Sequence, residues 1–155
     1  MKIRLIMIFV FCQIIVGCQN DAPVEKSEYT DMDGYSGNFS DHKGKWMLIN
    51  YWATWCKPCI EEIPELNAFS AKHIDQIKLF AVDFDNAQGE KLKESTKKMG
   101  IEFAVLKEDP HSILGFEKPY ALPTTFIFNP EGKLHKTLLG PQTEKSLLNA
   151  LEMTK

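Results

Sequence analysis

Arginine is almost absent from this chain: among 155 residues with 18 lysines and arginines, Arg4 is the only arginine. Arginine holds phosphate groups by two hydrogen bonds at once, and a surface that binds nucleic acid needs a cluster of such charge. The formal net charge of −3 leaves no basic excess either. We therefore expect no nucleic-acid partner, and the expected partners are proteins or small thiols.

The chain also lacks an apolar run of roughly 20 residues, the length that crosses a bilayer. Its N-terminal apolar run, residues 5–16, is about a dozen residues long and follows Lys2 and Arg4. A basic start, a short apolar segment and a small residue form the pattern of an export signal. The sequence therefore predicts a signal peptide over residues 1–17, with an N-terminal anchor that is never cleaved as the alternative.

Cysteine is scarce, with four in the whole chain. Cys12 would leave with the signal peptide. The run Ile15-Val16-Gly17-Cys18 resembles the lipobox of bacterial lipoproteins, which implies that Cys18 is acylated, becomes the mature N-terminus and anchors the protein stably to a membrane. Only Cys56 and Cys59 would remain as thiols, in a compartment where disulfides persist.

The sequence predicts that the mature chain consists of a short tether and one domain. Residues 18–27 hold the lipidated N-terminus and a polar segment without apolar periodicity, and residues 28–155 suit a single domain that buries about two-thirds of its unfolded surface. Removing the signal would leave a mildly acidic protein without arginine.

Apolar periodicity predicts alternating strands and helices in this domain. A leading hairpin is expected over residues 28–39 because Asp33-Gly34 favours a tight turn. The other predicted elements are strands over residues 46–52, 76–84, 103–106, 124–128 and 133–139, and helices over residues 57–72, 88–99, 110–116 and 143–153. Asp109 and Thr143 are the expected N-caps of the last two helices. This order indicates an α/β sheet with an antiparallel edge.

Cys56 and Cys59 stand three residues apart, at the start of the first long helix. This spacing puts both side chains on one helix face, with Cα atoms roughly 5–6 Å apart, a distance that a disulfide tolerates. Because so short a loop restricts the unfolded chain little, the pair suits reversible redox chemistry better than a structural crosslink. Half of a zinc site is the alternative, but the histidines lie at no ligand-like spacing and are predicted as surface residues. They are His42, His73, His111 and His135.

Two motifs resemble the thioredoxin superfamily, and most closely its membrane-tethered TlpA/ResA/CcmG-like branch. They are Asn50-Tyr51-Trp52-Ala53-Thr54-Trp55-Cys56-Lys57-Pro58-Cys59, followed by Pro64, and Leu122-Pro123-Thr124-Thr125-Phe126. The resemblance extends over about residues 29–151. It implies a thioredoxin-like three-layer α/β/α fold with a mixed central sheet and an N-terminal β-hairpin extension.

The two cysteines would divide the chemistry between them. Cys56 would lie at the helix N-terminus, where free N–H groups and the helix dipole stabilise a thiolate, and would be the attacking nucleophile. Cys59, one turn further on and less exposed, would resolve the mixed disulfide. The catalytic pair would therefore close as a redox-active disulfide.

Three residues are expected to bind the substrate, and the resemblance implies two of them, Leu122 and Pro123. The Leu122–Pro123 bond is expected to be cis, with Leu122 offering backbone hydrogen bonds to a substrate polypeptide. An ordinary turn proline is the alternative. Trp55 is expected to shape the exposed surface around Cys56, while Trp52 packs beneath it, which is also what a plain core aromatic would do.

Glu62 is the candidate proton partner. Thioredoxin has a buried aspartate six residues before its first cysteine, and Asn50 stands there in this chain. Glu62, three residues after Cys59, matches a glutamate near the active site in the ResA-like branch, and burial would raise its pKa into the range of a useful base. The alternative is that Glu61 and Glu62 are solvated acids of the helix face.

The sequence therefore predicts an exported, lipid-anchored thiol-disulfide oxidoreductase of the cell envelope, facing the periplasm or the exterior. Its substrates would be disulfide-containing proteins, for example in cytochrome c maturation, and the resemblance implies a membrane electron donor of the DsbD/CcdA kind. We expect no cofactor and no metal, and we expect the protein to be a monomer. Substrate choice is the least certain inheritance, because the loop between Gly115 and Pro123 is longer than in the family.

Three other functions fit parts of the sequence. A disulfide oxidant or isomerase would use the same residues at a different potential. A peroxiredoxin-type peroxidase has threonine three residues before its reactive cysteine, where this chain has Ala53. A copper-delivery protein of the Sco kind has three residues between its cysteines, and this chain has two.

Overall fold

A computed structural model describes residues 27–153. The predicted signal peptide, Cys18 and nearly all of the tether lie outside these residues. The described part opens with the predicted hairpin: β1 (Glu28–Thr30) pairs antiparallel with β2 (Ser36–Asn38). Gly34 has a φ of 89°, which a side chain would disfavour, and this explains why Asp33-Gly34 makes the turn. A single 3₁₀ turn, Phe39–His42, follows.

The central sheet has five strands in the order β5-β4-β3-β6-β7. These strands are β3 (Trp46–Trp52), β4 (Ile77–Asp83), β5 (Ala104–Val105), β6 (Thr124–Phe128) and β7 (Leu134–Leu139). The first three run parallel, and β6 and β7 run antiparallel to β3 and β6 respectively. This confirms the mixed sheet and its antiparallel edge.

The helices are α1 (Lys57–Lys72), α2 (Gly89–Met99), α3 (His111–Leu114) and α4 (Glu144–Ala150). Apolar residues of α1, α2 and α4 pack on one face of the sheet, and the hairpin, the 3₁₀ turn and the α3 region cover the other. The central strand β3 is buried along nearly its whole length because both its faces are covered, as its continuous apolar run predicts. The thioredoxin-like fold class is thus confirmed.

Several local predictions were wrong. α3 begins at His111 and not Pro110, although Asp109 still accepts a 3.2 Å hydrogen bond from the His111 N–H as a cap would. α4 ends at Ala150, whereas the prediction ran to residue 153. The three-residue spacing of Ile60, Ile63 and Leu66 predicts one buried face of α1, but Ile60 is 46% exposed.

The prediction that all four histidines are surface residues was also wrong. Only His135 is exposed. His42 packs against Tyr29 and Phe80, His73 lies against Phe69, and His111 is partly buried beside Asp109. Imidazole rings have an apolar face as well as polar nitrogens, so they fill such partly buried positions.

Candidate active site

Cys56 and Cys59 form a disulfide at the start of α1, with their Cα atoms 5.3 Å apart. Cys56 is the N-cap residue, and its Sγ accepts a 3.3 Å hydrogen bond from the Cys59 N–H. Pro58 is tolerated in this first turn because its missing N–H has no helical partner there. Cys56 is 5% exposed and Cys59 is fully buried, so the sulfur nearer solvent is the one at the helix N-terminus.

Glu62 lies one turn beyond Cys59 on the buried face of α1 and is 1% exposed. Its Oε1 accepts a 2.8 Å hydrogen bond from the Asn50 amide, and its Oε2 accepts one of 2.8 Å from the Gln142 N–H. Burial raises the pKa of Glu62 to about 7, and the two hydrogen bonds oppose that rise. The alternative of a solvated acid is therefore wrong for Glu62, although it describes its exposed neighbour Glu61.

Asn50 occupies the centre of the strand that leads to the cysteines. Its amide nitrogen donates to Glu62 and also, at 3.0 Å, to the Thr125 hydroxyl on β6. Sequence reasoning noted Asn50 only as a missing aspartate and assigned no role to Thr125 or Gln142. No local signal in the sequence could have found these contacts, because 75 residues separate Asn50 from Thr125 and 80 separate Glu62 from Gln142.

The Leu122–Pro123 peptide bond is cis, as the resemblance implied. Pro123 is buried and Leu122 is half-buried at the start of β6. The Pro123 carbonyl accepts a 2.9 Å hydrogen bond from the Gly140 N–H, which ties the segment to the far end of β7. No backbone hydrogen bond joins Leu122 to any other residue within 27–153.

Trp55, next to Cys56, is 64% exposed, while Trp52 is fully buried. The Trp55 indole N–H donates a 2.9 Å hydrogen bond to Asp85, and the ring packs edge-on against Phe84 at 6.4 Å between centroids. The indole of the residue before Cys56 is thus held in place but largely exposed to solvent.

The long segment before the cis-proline has its own anchor. Lys118 donates a 3.3 Å hydrogen bond to the Phe84 carbonyl, and its ammonium group lies 3.5 Å from Asp109 Oδ2. Asp109 in turn accepts a hydrogen bond from the buried Tyr51 hydroxyl. Burial alone would raise the pKa of Asp109, but the hydrogen bonds from Tyr51 and His111 hold it below its usual range. Sequence reasoning missed this network.

Two further observations concern residues 27–153 only. None of their helices has both the length and the apolar character to cross a membrane. They also contain no cluster of three or more histidine, cysteine, aspartate or glutamate side chains arranged to hold a metal ion.

A mixed five-stranded sheet, a Cys-x-x-Cys disulfide at the start of its first long helix and a cis-proline before β6 define a thioredoxin-like thiol-disulfide protein. The model of the AhpC/TSA family matches residues 19–137, and the chain belongs to this family. A relative named thiol-disulfide oxidoreductase ResA, from Bacillus cereus, is 32% identical over 124 residues, which are 79% of this chain and 71% of the relative.

Solved structures agree with the fold. The pneumococcal exposed lipoprotein thioredoxin Etrx1, from Streptococcus pneumoniae strain TIGR4, superposes with a TM-score of 0.67 at 25% identity, over 82% of this chain and 98% of that one. StoA from Bacillus subtilis gives a TM-score of 0.65 at 24% identity over 79% and 93% of the two chains, which supports the fold alone. With its disulfide, its fold and its ResA relatives, the protein is a thiol-disulfide oxidoreductase.

Proposed function

We propose that this protein is an exported, lipid-anchored enzyme that reduces disulfides of envelope proteins. The observation that carries the proposal is the Cys56–Cys59 pair at the N-terminus of α1, one helical turn from the buried carboxyl of Glu62. This arrangement combines a sulfur stabilised as a thiolate, a second sulfur shielded from solvent and a group that exchanges its proton near neutral pH.

The first step is attack on the substrate by the reduced protein. The Cys56 thiolate attacks one sulfur of the substrate disulfide, so a mixed disulfide forms and the other substrate sulfur leaves as a thiolate that takes a proton from solvent. The Cys59 N–H, which points at Cys56 Sγ, and the helix dipole both favour the negative charge on Cys56.

The second step releases the reduced substrate. Ionised Glu62 takes the proton of the Cys59 thiol, and the Cys59 thiolate attacks Cys56 Sγ. The mixed disulfide breaks, the second substrate sulfur leaves as a thiolate and is protonated, and the Cys56–Cys59 disulfide forms. Two electrons pass from the protein to the substrate, and a pKa of about 7 suits Glu62 to this transfer.

The substrate would lie in the groove between Trp55 and the cis-proline segment. The Leu122 backbone, which makes no backbone hydrogen bond to other described residues, would pair with an extended substrate chain as a strand edge does. Pro123 would fix the direction of that segment, and the exposed indole of Trp55 would contact apolar groups beside the substrate disulfide.

The N-terminal pattern and the relatives support the proposed location and partners. Acylated Cys18 would hold the domain at a membrane, facing the periplasm or the exterior, and a solved relative is named an exposed lipoprotein. An enzyme that reduces disulfides there needs an electron source, which we assign to a membrane thiol-electron carrier of the DsbD/CcdA type. Cytochrome c maturation is one process that consumes such reducing power.

The reduction potential of the Cys56/Cys59 couple tests the direction of electron flow. Equilibration of the protein in dithiothreitol or glutathione buffers should give a value near that of thioredoxin, about −270 mV. A value near −120 mV would mean that the protein is a disulfide oxidant and would overturn the reductant assignment.

A further inference from the structure

The Asn50 side chain is fully buried but only half satisfied. Both hydrogens of its amide nitrogen are used, one by Glu62 Oε1 at 2.8 Å and one by Thr125 Oγ1 at 3.0 Å. Its own oxygen, Oδ1, has no hydrogen-bond partner among residues 27–153. A buried, unpaired amide oxygen costs free energy, so its presence needs a physical reason.

The contacts of Glu62 suggest that reason. Oε1 faces the Asn50 amide nitrogen and Oε2 faces the Gln142 N–H, so each carboxylate oxygen meets a donor. This arrangement matches the ionised carboxylate. A proton on either oxygen would put a donor against a donor, unless one of the two partners can also accept.

Only one of these partners can change its role. The Gln142 N–H belongs to the backbone and can only donate. The Asn50 amide is nearly symmetric in shape, so a half-turn about its Cβ–Cγ bond exchanges nitrogen and oxygen within the same space. After that turn, Oδ1 would accept from protonated Glu62 and from the Thr125 hydroxyl, which can donate as well as accept, while the amide nitrogen would take the place where Oδ1 now has no partner.

We propose that Asn50 is a positioning residue that supports both protonation states of Glu62: its amide donates to the carboxylate and, after a half-turn, accepts from the protonated acid. The proton that leaves the Cys59 thiol would therefore reside on Oε1, the oxygen that faces Asn50. This inference rests on the proposed role of Glu62 in proton transfer, but the half-turn can be observed in the oxidised protein, where no reaction takes place.

The surroundings of Glu62 leave Asn50 as the side chain able to do this. Glu62 meets Asn50 of β3 and the Gln142 N–H of the segment before α4, and the buried residue one turn before it on α1 is Cys59. The shift in the pKa of Glu62 comes from burial and from its hydrogen bonds with Asn50 and Gln142, and no charged side chain of the described residues contributes to it. An aspartate in place of Asn50 could accept from protonated Glu62 but could not donate to its ionised form.

The test is an NMR titration of the full oxidised chain, with carbon-13 in glutamate and asparagine, from pH 5 to pH 9. The Glu62 carboxyl carbon gives the midpoint, and the Asn50 Cγ reports whether Oδ1 accepts a hydrogen bond. We expect the Asn50 Cγ resonance to move downfield as the pH falls, with the midpoint of Glu62, and this movement to shrink in Thr125→Val. An Asn50 Cγ that does not move downfield at that midpoint would overturn the proposal.

Variants add a second measurement. Asn50→Leu removes both roles of the amide, and because the bond to the charged form is the stronger, the Glu62 midpoint should rise by about one pH unit. The pH profile of thiol-disulfide exchange should move with it. Asn67→Leu is the control: Asn67 lies on α1 and bonds Gly100 and Glu102, so the midpoint should stay unchanged.

The outcomes separate this inference from the proposed function. An unchanged midpoint in Asn50→Leu would count against the positioning role of Asn50. If instead Glu62→Gln exchanged disulfides at the wild-type rate, the catalytic role of Glu62 would be wrong even though the coupled titration of Asn50 remained. Because the wild-type titration needs no variant, a failure of Asn50→Leu to fold would leave the proposal open to refutation.

Discussion

The ammonium group of Lys118 lies 3.3 Å from the carbonyl oxygen of Phe84 and 4.7 Å from the centre of its ring. Phe84 also packs against Trp55, the exposed indole next to Cys56. One lysine thus joins the segment before the cis-proline to the surface beside the disulfide. This lysine and its contact with Asp109 hold the segment before the cis-proline in place.

Replacing Lys118 with methionine keeps the apolar stem but removes these polar contacts. We expect the exchange rate with a disulfide-bearing polypeptide to fall by about two- to fivefold, since Lys118 is partly exposed and water weakens its contacts. Exchange with a small disulfide reagent should not change. Lys133→Met, at an exposed lysine in the turn between β6 and β7, at the opposite end of the sheet from the cysteines, is the matched control. Equal losses with both substrates would mean that Lys118 does not act through the polypeptide groove.

The buried carboxyl of Glu62 should make stability depend on pH. Its pKa rises from an ordinary 4.5 to about 7 in the folded protein. Below the ordinary pKa, Glu62 is protonated in both the folded and the unfolded chain, so no stability is lost. As the pH rises to 7 and above, the unfolded chain ionises first, and about 3 kcal/mol of the free energy of unfolding should be lost. Urea unfolding at pH 5 and pH 8 measures this change.

Two variants isolate the effect of Glu62. Glu62→Gln cannot ionise, so it should lose about 2.5 kcal/mol less between the two pH values than the wild type. Glu61→Gln alters the exposed neighbour and should behave as the wild type does. If the stability of Glu62→Gln and of the wild type depended equally on pH, the pKa of Glu62 would not be raised in the folded protein.

The two cysteines should give opposite results when each is replaced by serine. Cys59→Ser retains the nucleophile but cannot resolve the mixed disulfide, so incubation with a disulfide-bearing peptide should leave a covalent adduct on Cys56, seen by intact mass. Cys56→Ser should give no adduct, because Cys59 is fully buried. An adduct on Cys59 alone would reverse the assigned roles.

The Tyr51 hydroxyl should matter for stability, because it donates to the partly buried Asp109. Tyr51→Phe should lower the free energy of unfolding by about 2 kcal/mol at pH 7, the usual range for a hydrogen bond to a charged group. The loss should be smaller in acid below the lowered pKa of Asp109, where the carboxyl becomes protonated and the bond loses its charge. Tyr35→Phe, at a 64% exposed tyrosine, should change little; a similar loss there would argue against the network.

The lipid anchor has a direct test in the native host. Cys18→Ala should release the protein from the membrane fraction and abolish labelling by a radioactive fatty acid, whereas Cys12→Ala should affect neither. Labelling that persisted in Cys18→Ala would mean that the resemblance to a lipobox is misleading.

Sequence signals anticipated the elements that local chemistry specifies. The bounds of β3, α1 and β6 match their predictions, because a continuous apolar run, a proline in the first helical turn and a β-branched pair after Pro123 are all local patterns. The short helix α3 begins one residue later than predicted, since Asp109 and Pro110 both favour a helix start and the sequence does not decide between them, and it ends two residues earlier, before Gly115.

The same distinction between local signals and tertiary packing applies to the candidate site. Cys56 and Cys59 could be found from their spacing, and Pro123 and Glu62 from resemblance. The burial of Glu62 was expected from the resemblance, but the sequence alone could not dismiss the alternative of a solvated acid, because Glu61 and Glu62 differ only in which side of α1 meets the sheet. That depends on how α1 packs, which no local pattern records.

The sequence by itself determined that the protein carries a reversible disulfide at a helix start, on an α/β sheet, behind an N-terminal pattern that predicts export. The cysteine spacing, the apolar periodicity and the turn residues each involve only a few neighbouring positions, so they can be recognised in the sequence. Only the tertiary structure decided which polar groups meet around the disulfide. Asn50 and the Gln142 N–H donate hydrogen bonds to Glu62, Asn50 also donates to Thr125, and Lys118 donates to the Phe84 carbonyl. These partners come from distant parts of the chain and meet because the packed sheet excludes water, which makes each buried polar group find another.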